Sequence, residues 1–358
     1  MRMCMNMLPG VEGRCTWTVA PSEPTLVEAA AWLTRRDGFE SCEVLLSVLE
    51  DPTLSRGYNG ELIAANIILE ALDSCCFDAR GLRTRFDVHV IDFMKALLPP
   101  DPFDKLMDAV LQQSEIGAGT FAETFRNSKL YLTHFIKVLD LGVLKREVLV
   151  RYIIRGAGVV CANSKGGVDI VLLFLYEDTR LTATNVSAIL VQTHVDDQLA
   201  GPLFDSMNPC SLGIFPEKEA LPVIRMVCAL SAPVGQGEDG IFVVSTSTQP
   251  EQRSSEDAHS RICHCPTIDL WCRGISSRTF QCIKLVHGDS YRQLVAQSQC
   301  PDTEADYVDT QDYHGPVNIY DLVLRERTLS MYPGATSQDQ CWSRFVDVGR
   351  GRKDGQPK

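Results

Sequence analysis

The sequence predicts an α/β protein in which helices flank a mixed β-sheet, built from a three-strand meander and further strands, with a helical N-terminal region. Three short apolar segments, 158–162, 168–175 and 186–194, are rich in Val, Ile and Leu and have the length of strands. Several segments before residue 150 have the amphipathic pattern of helices. With 45% hydrophobic and 22% charged residues among 358, the chain has a globular composition and can bury a sizeable core.

The N-terminal region begins with a leader, 1–23, that we expect to be disordered. Thr25 and Glu28 form a capping box, which predicts a helix that ends near Gly38. A second amphipathic helix is predicted over 42–50. Neither helix carries residues that suggest chemistry.

The next predicted helix, 58–73, carries an acid on the face that should meet the sheet. Asn59 is a suitable N-cap, and Glu61 lies in line with the apolar residues Ala65 and Ile68. An acid in that line is expected to point inward, toward the sheet. The alternative is that Glu61 only complements the helix dipole, as acids in first turns do.

The segments between this helix and the three-strand meander are predicted to contain a mixture of short strands and helices. A short alternating strand and an apolar stretch lie within 81–98, a helix covers 102–113, and 121–140 is helical or mixed.

The meander occupies 151–197 and contains one acid in an otherwise apolar strand. The turn at 163–167 is rich in residues that tolerate positive φ, so it can join the first two strands as a hairpin. Apart from Asp169, the strand 168–175 has the pattern of a strand covered on both faces. Because an unpaired buried carboxylate is costly, Asp169 needs a partner, a metal ion or a proton.

The third strand adds two polar residues near this acid. Its two-residue period places Gln192 and His194 on one face. Since Asp169 lies near the start of the neighbouring strand, a fitting register would bring these three groups to one edge of the sheet. After the meander, strands are predicted over 221–232 and 240–246, and a short helix over 291–298.

These residues carry a resemblance to a known family. Gly-Val-Asp169 on one strand and Gln192-Thr-His194 at the end of the next resemble the core of the restriction-endonuclease-like superfamily, the PD-(D/E)XK nucleases. The tract 155–208 also resembles uncharacterised proteins of basidiomycete, mushroom-forming fungi. Those proteins share the opening RGA-x-x-x-CAN-x-x-x-G-(V/I)-D and typically have Gln-x-Lys where this chain has Gln192-Thr-His194. The resemblance implies a restriction-endonuclease-like fold.

The resemblance also implies a magnesium site. In that family an Asp on one strand and a (Glu/Gln)-x-Lys on the next surround Mg²⁺, often with a carboxylate from the preceding helix. Transferred to this chain, the implied metal ligands are Glu61, Asp169 and Gln192, with a backbone carbonyl near Thr193. Oxygen ligands of this kind suit a hard cation.

His194 stands where the family pattern has lysine. A histidine titrates near neutrality and could act as a general base, but it lacks the permanent charge of lysine. Lys165, in the preceding turn, could reach the site and restore a cation. His194 and Lys165 are therefore the candidate catalytic residues, and the departure from the pattern indicates weak or lost activity.

We expect four regions along the chain. The leader and a mainly helical region precede a PD-(D/E)XK-like α/β core, and a partly disordered C-terminal extension follows it: 1–23, 24–150, 151–298 and 299–358.

Charge and cysteine content bound the partners and the compartment. A net charge of -12 argues against a broad phosphate-binding surface, although local basic patches leave nucleic acid or protein as partners. No apolar run has the length to cross a bilayer, so no membrane association is expected. The start lacks an apolar secretory segment, and 14 Cys are then expected as reduced thiols in the nucleus or cytoplasm. The oligomeric state stays open.

A second set of Cys and His residues could ligate zinc but lacks the paired C-x-x-C spacing of such sites. Strand cysteines in a reduced protein are the favoured interpretation, and zinc is not expected. The set comprises Cys263, His264, Cys265, Cys272, Cys282 and His287.

Three functions are compatible with these observations. The first is a degenerate PD-(D/E)XK-like protein with weak or lost Mg²⁺-dependent phosphodiester hydrolysis. The second is a non-enzymatic module derived from that fold that binds protein or nucleic acid. The third is a structural α/β protein in which Asp169 is merely satisfied.

Overall fold

A computed structural model describes fourteen stretches of the chain, and all of them lie in the first of its two compact units, Met1–Cys300 and Pro301–Lys358. The described residues are 6–9, 16–19, 39–49, 59–76, 87–111, 119–138, 144–161, 167–177, 180–194, 201–210, 212–215, 221–231, 240–244 and 265–298. The helix expected after Thr25 and the extension 299–358 lie outside them.

The leader contains a β-hairpin where we expected disorder. Strands β1 (Asn6–Pro9) and β2 (Thr16–Val19) pair antiparallel, with Leu8 opposite Trp17. The second strand consists of Thr, Trp and Val, residue types that favour strands. Each strand has only four residues, too few to show a clear period in the sequence.

The described part of the chain contains the following α-helices: α1 (Ser41–Leu49), α2 (Asn59–Cys76), α3 (Val90–Leu97), α4 (Pro100–Met107), α5 (Phe121–Thr124), α6 (Arg146–Arg155), α7 (Gly201–Ser206) and α8 (Gly288–Ser298). Two short 3₁₀ helices cover Ala183–Asn185 and Leu285–His287.

The main sheet is mixed and has nine strands: β3 (Val88–His89), β4 (Lys129–Leu130), β5 (His134–Val138), β6 (Ala157–Cys161), β7 (Ile170–Leu175), β8 (Val186–His194), β9 (Val223–Ala229), β10 (Gly240–Val244) and β11 (Thr267–Arg273). Seven of them follow the order β10-β11-β9-β8-β7-β4-β3. Strand β6 pairs with the start of β7, and β5 pairs with β6.

The predicted meander forms the centre of this sheet. Strands β6, β7 and β8 pair antiparallel in sequence order. Strands β9 and β11 then continue the sheet parallel to β8. A parallel neighbour requires a crossover, and α7 lies in the crossover between β8 and β9.

Helices cover both faces of the central strands. Strand β7 is buried along its whole length, as its apolar sequence predicts. Ile170 and Leu172 pack into the core that includes Ile68 of α2. Val171 packs into the opposite core, which includes Leu149 of α6 and further residues of α7. The α/β class with a mixed sheet is therefore confirmed.

The region 24–150 contains more strand than expected. Strands β3, β4 and β5 all lie in it and all join the main sheet. Two of them have only two residues each, too few to show a period in the sequence. The chain before residue 150 thus completes the sheet that the meander begins.

Candidate functional site

Asp169 lies immediately before β7, and its backbone joins the two neighbouring strands. Its N–H donates to the carbonyl of Val191 at 2.9 Å, and its carbonyl accepts from the N–H of Cys161 at 2.8 Å. The residue is only 3% exposed. Its backbone is therefore held at the point where β6, β7 and β8 meet, and its side chain is kept from solvent.

The Asp169 carboxylate is bound to the next strand through Thr193. Oδ2 accepts hydrogen bonds from the Thr193 N–H at 2.6 Å and from Thr193 Oγ1 at 2.7 Å. Burial raises the pKa of Asp169, while the two Thr193 bonds and the charge of His194 oppose that rise. Because the Thr193 N–H belongs to the backbone of β8, the carboxylate lies near the plane of the sheet.

The first turn of α2 lies directly over this point. A Cβ placed on Gly60 would be 3.5 Å from Thr193 Oγ1. Glu61 follows in the same turn and is 8% exposed, so the acid points inward, as the sequence predicted. The helix thereby brings a second carboxylate to Asp169.

The charge of Asp169 acts on the buried Glu61 carboxylate. The pKa of Glu61 is raised from its ordinary value of 4.5 to about 7. Burial is the largest cause, repulsion by Asp169 adds to it, and attraction by Lys137 opposes it. Among the described residues, no hydrogen bond contributes to the pKa of Glu61, so only Lys137 opposes the rise. Two buried carboxylates repel each other, so a proton or a cation bound between them is needed to offset the repulsion and the loss of solvent.

Gln192 lies across from Asp169 in the strand register. Ile170 pairs with Val191, so the next pair along is Asp169 and Gln192. Gln192 is 9% exposed, and its Oε1 is buried without a hydrogen-bond partner among the described residues. Buried acceptors of that kind are uncommon, and such an oxygen can accept from water or ligate a cation.

The two-residue alternation of β8 divides its polar residues between the faces of the sheet. Thr193 lies on the α2 side, whereas Gln192 and His194 lie on the side of Ala188 and Leu190. Asp169, near the plane of the sheet, lies between the two sides. The structure thus brings Glu61 and Asp169 together through Thr193, with the other polar residues flanking them.

His194 is the last residue of β8 and is half-buried. Its carbonyl accepts from the N–H of Leu230 at 3.0 Å, which keeps the end of the strand attached to the chain after β9. Its charge reaches Asp169. The predicted second catalytic residue, Lys165, lies outside the described residues, so its role stays a prediction.

Lys137 is a site residue that sequence reasoning missed. It lies on β5, is exposed, and is the cation whose charge lowers the pKa of Glu61 in the described structure. Phe, Ile and Val in 134–138 favour a strand, whereas the sequence analysis predicts a helical or mixed segment there.

The oxygen donors at this place suit magnesium in chemical type. The two carboxylates and the free Gln192 Oε1 are hard ligands of the kind that Mg²⁺ prefers. Nearby Cys161 does not add a soft ligand, because burial and the charges of Asp169 and Glu61 raise its pKa to about 12 and keep the thiol neutral. Among the described residues, no group of three His, Cys, Asp or Glu side chains is arranged to hold a metal, so a cation here would need the neutral oxygens as well.

The candidate zinc residues that are described lie in separate surroundings. The thiol of Cys265 donates to the Leu221 carbonyl at 2.8 Å, and that of Cys282 donates to the Ile67 carbonyl at 3.5 Å. His287 faces Glu40 at 3.2 Å. Of the described cysteines, eight are free thiols and Cys210 is disulfide-bonded.

Comparisons with protein-family models, with curated proteins and with solved structures find no match. None of the described helices is long and apolar enough to cross a membrane. The function must therefore be argued from the geometry of Glu61, Asp169 and their neighbours.

Proposed function

We propose that the chain is a degenerate PD-(D/E)XK-like protein that binds Mg²⁺ through Glu61 and Asp169 and has weak or lost phosphodiester hydrolysis. One observation carries the proposal: two buried acids from separate elements lie near the start of β7, and the charge of Asp169 raises the pKa of Glu61. Such a pair is explained by a cation that binds both.

The arrangement of elements supports the same proposal. The family resemblance implies an acid at the start of one strand, a Gln-x motif on the next, and an acid on the preceding helix. Asp169 precedes β7, Gln192 lies on the antiparallel β8, and Glu61 begins α2. The restriction-endonuclease-like fold is proposed on this basis.

Each residue of the site would have a distinct part. Asp169 and Glu61 hold the cation, and Thr193 orients the Asp169 carboxylate through two hydrogen bonds. A backbone carbonyl near Thr193 would add neutral oxygen on the α2 side, whereas Gln192 lies on the opposite face of β8 and does not join Glu61 there as the resemblance implied. When bound, the ion would polarise a phosphodiester and lower the pKa of a bound water.

His194 limits what the site can do. It is near enough for its charge to reach Asp169 and could accept a proton from water. It does not supply the permanent charge of a lysine, which would stabilise the charge that develops on the phosphate. This substitution is the reason for proposing weak or lost turnover.

The same substitution favours a second candidate, a binding module without turnover whose partner is a nucleic acid or a protein. In that case the cation and its carboxylates would hold a ligand or stabilise the fold. Asp169 Oδ2 already accepts two hydrogen bonds from Thr193. A carboxylate fixed in this way suits a site that binds a ligand without turnover.

A cleavage and metal-binding experiment separates these functions. Mn²⁺ binding by calorimetry and cleavage of short fluorescent DNA and RNA with Mg²⁺ or Mn²⁺ are measured for the natural chain, Asp169→Asn, Glu61→Gln and His194→Lys. Asp104→Asn, which removes an exposed acid on α4, is the matched control.

We expect Mn²⁺ binding that is lost in Asp169→Asn and Glu61→Gln and kept in the control. Cleavage that Asp169→Asn abolishes and His194→Lys increases supports a weak nuclease. Metal binding without cleavage in any variant supports the binding module. A natural chain that does not bind Mn²⁺, or cleavage that ignores Asp169, contradicts the proposal.

A further inference from the structure

We propose that Lys137 supplies the permanent positive charge of this site by contacting a non-bridging oxygen of the substrate phosphodiester. This inference rests on the proposed function and names the group that would replace the lysine absent at position 194. It also differs from the expectation that Lys165 restores the cation.

The strand register puts Lys137 in the same row as the centre of the site. Lys137 pairs with Val160 on β6, and Val160 pairs with Ile170 on β7. Ile170 in turn pairs with Val191 on β8. With strands about 4.8 Å apart, the Lys137 backbone lies about 10 Å from Ile170, the residue after Asp169.

Lys137 also lies on the face of the sheet that α2 covers. Residues in one row of a sheet share a face. Val160, Ile170 and Val191 of this row all pack against the core that contains the buried residues of α2. The Lys137 side chain therefore extends on the side where Glu61 begins the helix.

The three charged residues of the site differ in their exposure to solvent. Glu61 and Asp169 are buried, whereas Lys137 is exposed. A long flexible side chain on an exposed residue can turn toward a phosphate that arrives from solvent, while the two acids would hold the metal ion in the buried part of the site. The positive charge of Lys137 also lowers the pKa of Glu61, which agrees with its place on the same face of the sheet.

The position also suits the chemistry better than His194 does. A lysine keeps its charge at neutral pH, and a phosphate group attracts it at every pH at which the substrate is charged. Lys137 thus serves in binding and charge stabilisation, with no proton transfer required of it.

The experiment compares Lys137→Met, Lys137→Arg and the control Lys105→Met, which removes an exposed lysine on α4 beside the edge strand β10. Three quantities are measured on the full chain: the affinity for Mn²⁺, the affinity for a short fluorescent single-stranded DNA in Mn²⁺ at several salt concentrations, and the pKa of Glu61 by carbon NMR.

Lys137→Met should strengthen Mn²⁺ binding and weaken DNA binding. Loss of a neighbouring cation should tighten Mn²⁺ binding about threefold and raise the pKa of Glu61 further. DNA binding should weaken about tenfold, and its salt slope should fall by about 0.7. Lys137→Arg should retain DNA binding, and Lys105→Met should resemble the natural chain.

A Lys137→Met chain that binds Mn²⁺ and DNA as the natural chain does would overturn this inference while leaving the metal site intact. A natural chain that binds no Mn²⁺ would instead overturn the proposed function. A variant that loses both affinities together, with an altered circular-dichroism spectrum, would show a structural role for Lys137 and would also overturn the inference.

Discussion

The substitution Glu61→Gln should remove a large part of the pH dependence of folding. Burial and Asp169 raise the pKa of Glu61 from 4.5 to about 7, so the folded chain holds this proton more tightly than the unfolded chain. Between those two pH values the folded state binds more protons. The free energy of unfolding must therefore fall as pH rises from about 4.5 to about 7, and then level off.

The magnitude follows from the shift in pKa. A rise from 4.5 to about 7 corresponds to about 3 kcal/mol of stability that is present at pH 4.5 and lost by pH 8. A neutral Gln has no such loss. Glu61→Gln should therefore gain about 3 kcal/mol relative to the natural chain between pH 4.5 and pH 8.

Urea unfolding at a series of pH values, without divalent ions, measures this difference. Asp104→Asn, which changes an exposed acid, should leave the natural pH dependence in place. Parallel stability curves for Glu61→Gln and the natural chain would refute the reasoning, because they would mean that Glu61 ionises freely in the folded state.

Three further predictions concern the support of the fold and site. Arg225→Met should cost about 3–5 kcal/mol in urea unfolding, because it leaves buried Asp269 without the guanidinium that binds both its oxygens at 2.7 and 2.6 Å. A cost below about 1 kcal/mol, which is typical of exposed ion pairs, would contradict this prediction. Gly156→Ala should lower the thermal midpoint, with a cost of about 1–2 kcal/mol, because Gly156 ends α6 at φ +63; an unchanged midpoint would show that this backbone conformation is not required. Thr193→Val should raise the pKa of Asp169 and weaken Mn²⁺ binding in calorimetry, because it removes the hydroxyl bond at 2.7 Å; unchanged affinity would mean that Thr193 does not orient the acid.

The central strands could be predicted because their sequence patterns are local. Strand β8 has the predicted bounds, and β7 begins at Ile170, two residues after the predicted start. A wholly apolar run of this length requires burial on both faces, whatever its neighbours are. Gly167 has a positive φ, as its predicted turn requires.

Other elements depend on contacts that the sequence does not show. Strands β3 and β4 have two residues each, and their pairing with the meander is non-local. Strand β11 was not predicted, although it pairs along its full length with β9. Helix α6 was missed because its end adjoins the meander, even though Gly156 is a helix-ending signal.

The candidate site shows the same division. The burial of Asp169 and Glu61 followed from an acid in an apolar strand and an acid on an apolar helix face. The bond between Asp169 and Thr193 depends on the strand register, and the position of Lys137 depends on a parallel pairing between β5 and β6. Registers between distant segments could not be derived from local patterns.

Anomalous diffraction from crystals soaked in Mn²⁺ tests the central claim most directly. The account predicts one strong peak about 2.1 Å from carboxylate oxygens of both Glu61 and Asp169, and its absence in crystals of Asp169→Asn. A natural chain without a peak between these two residues, with their carboxylates joined by a shared proton instead, would contradict it.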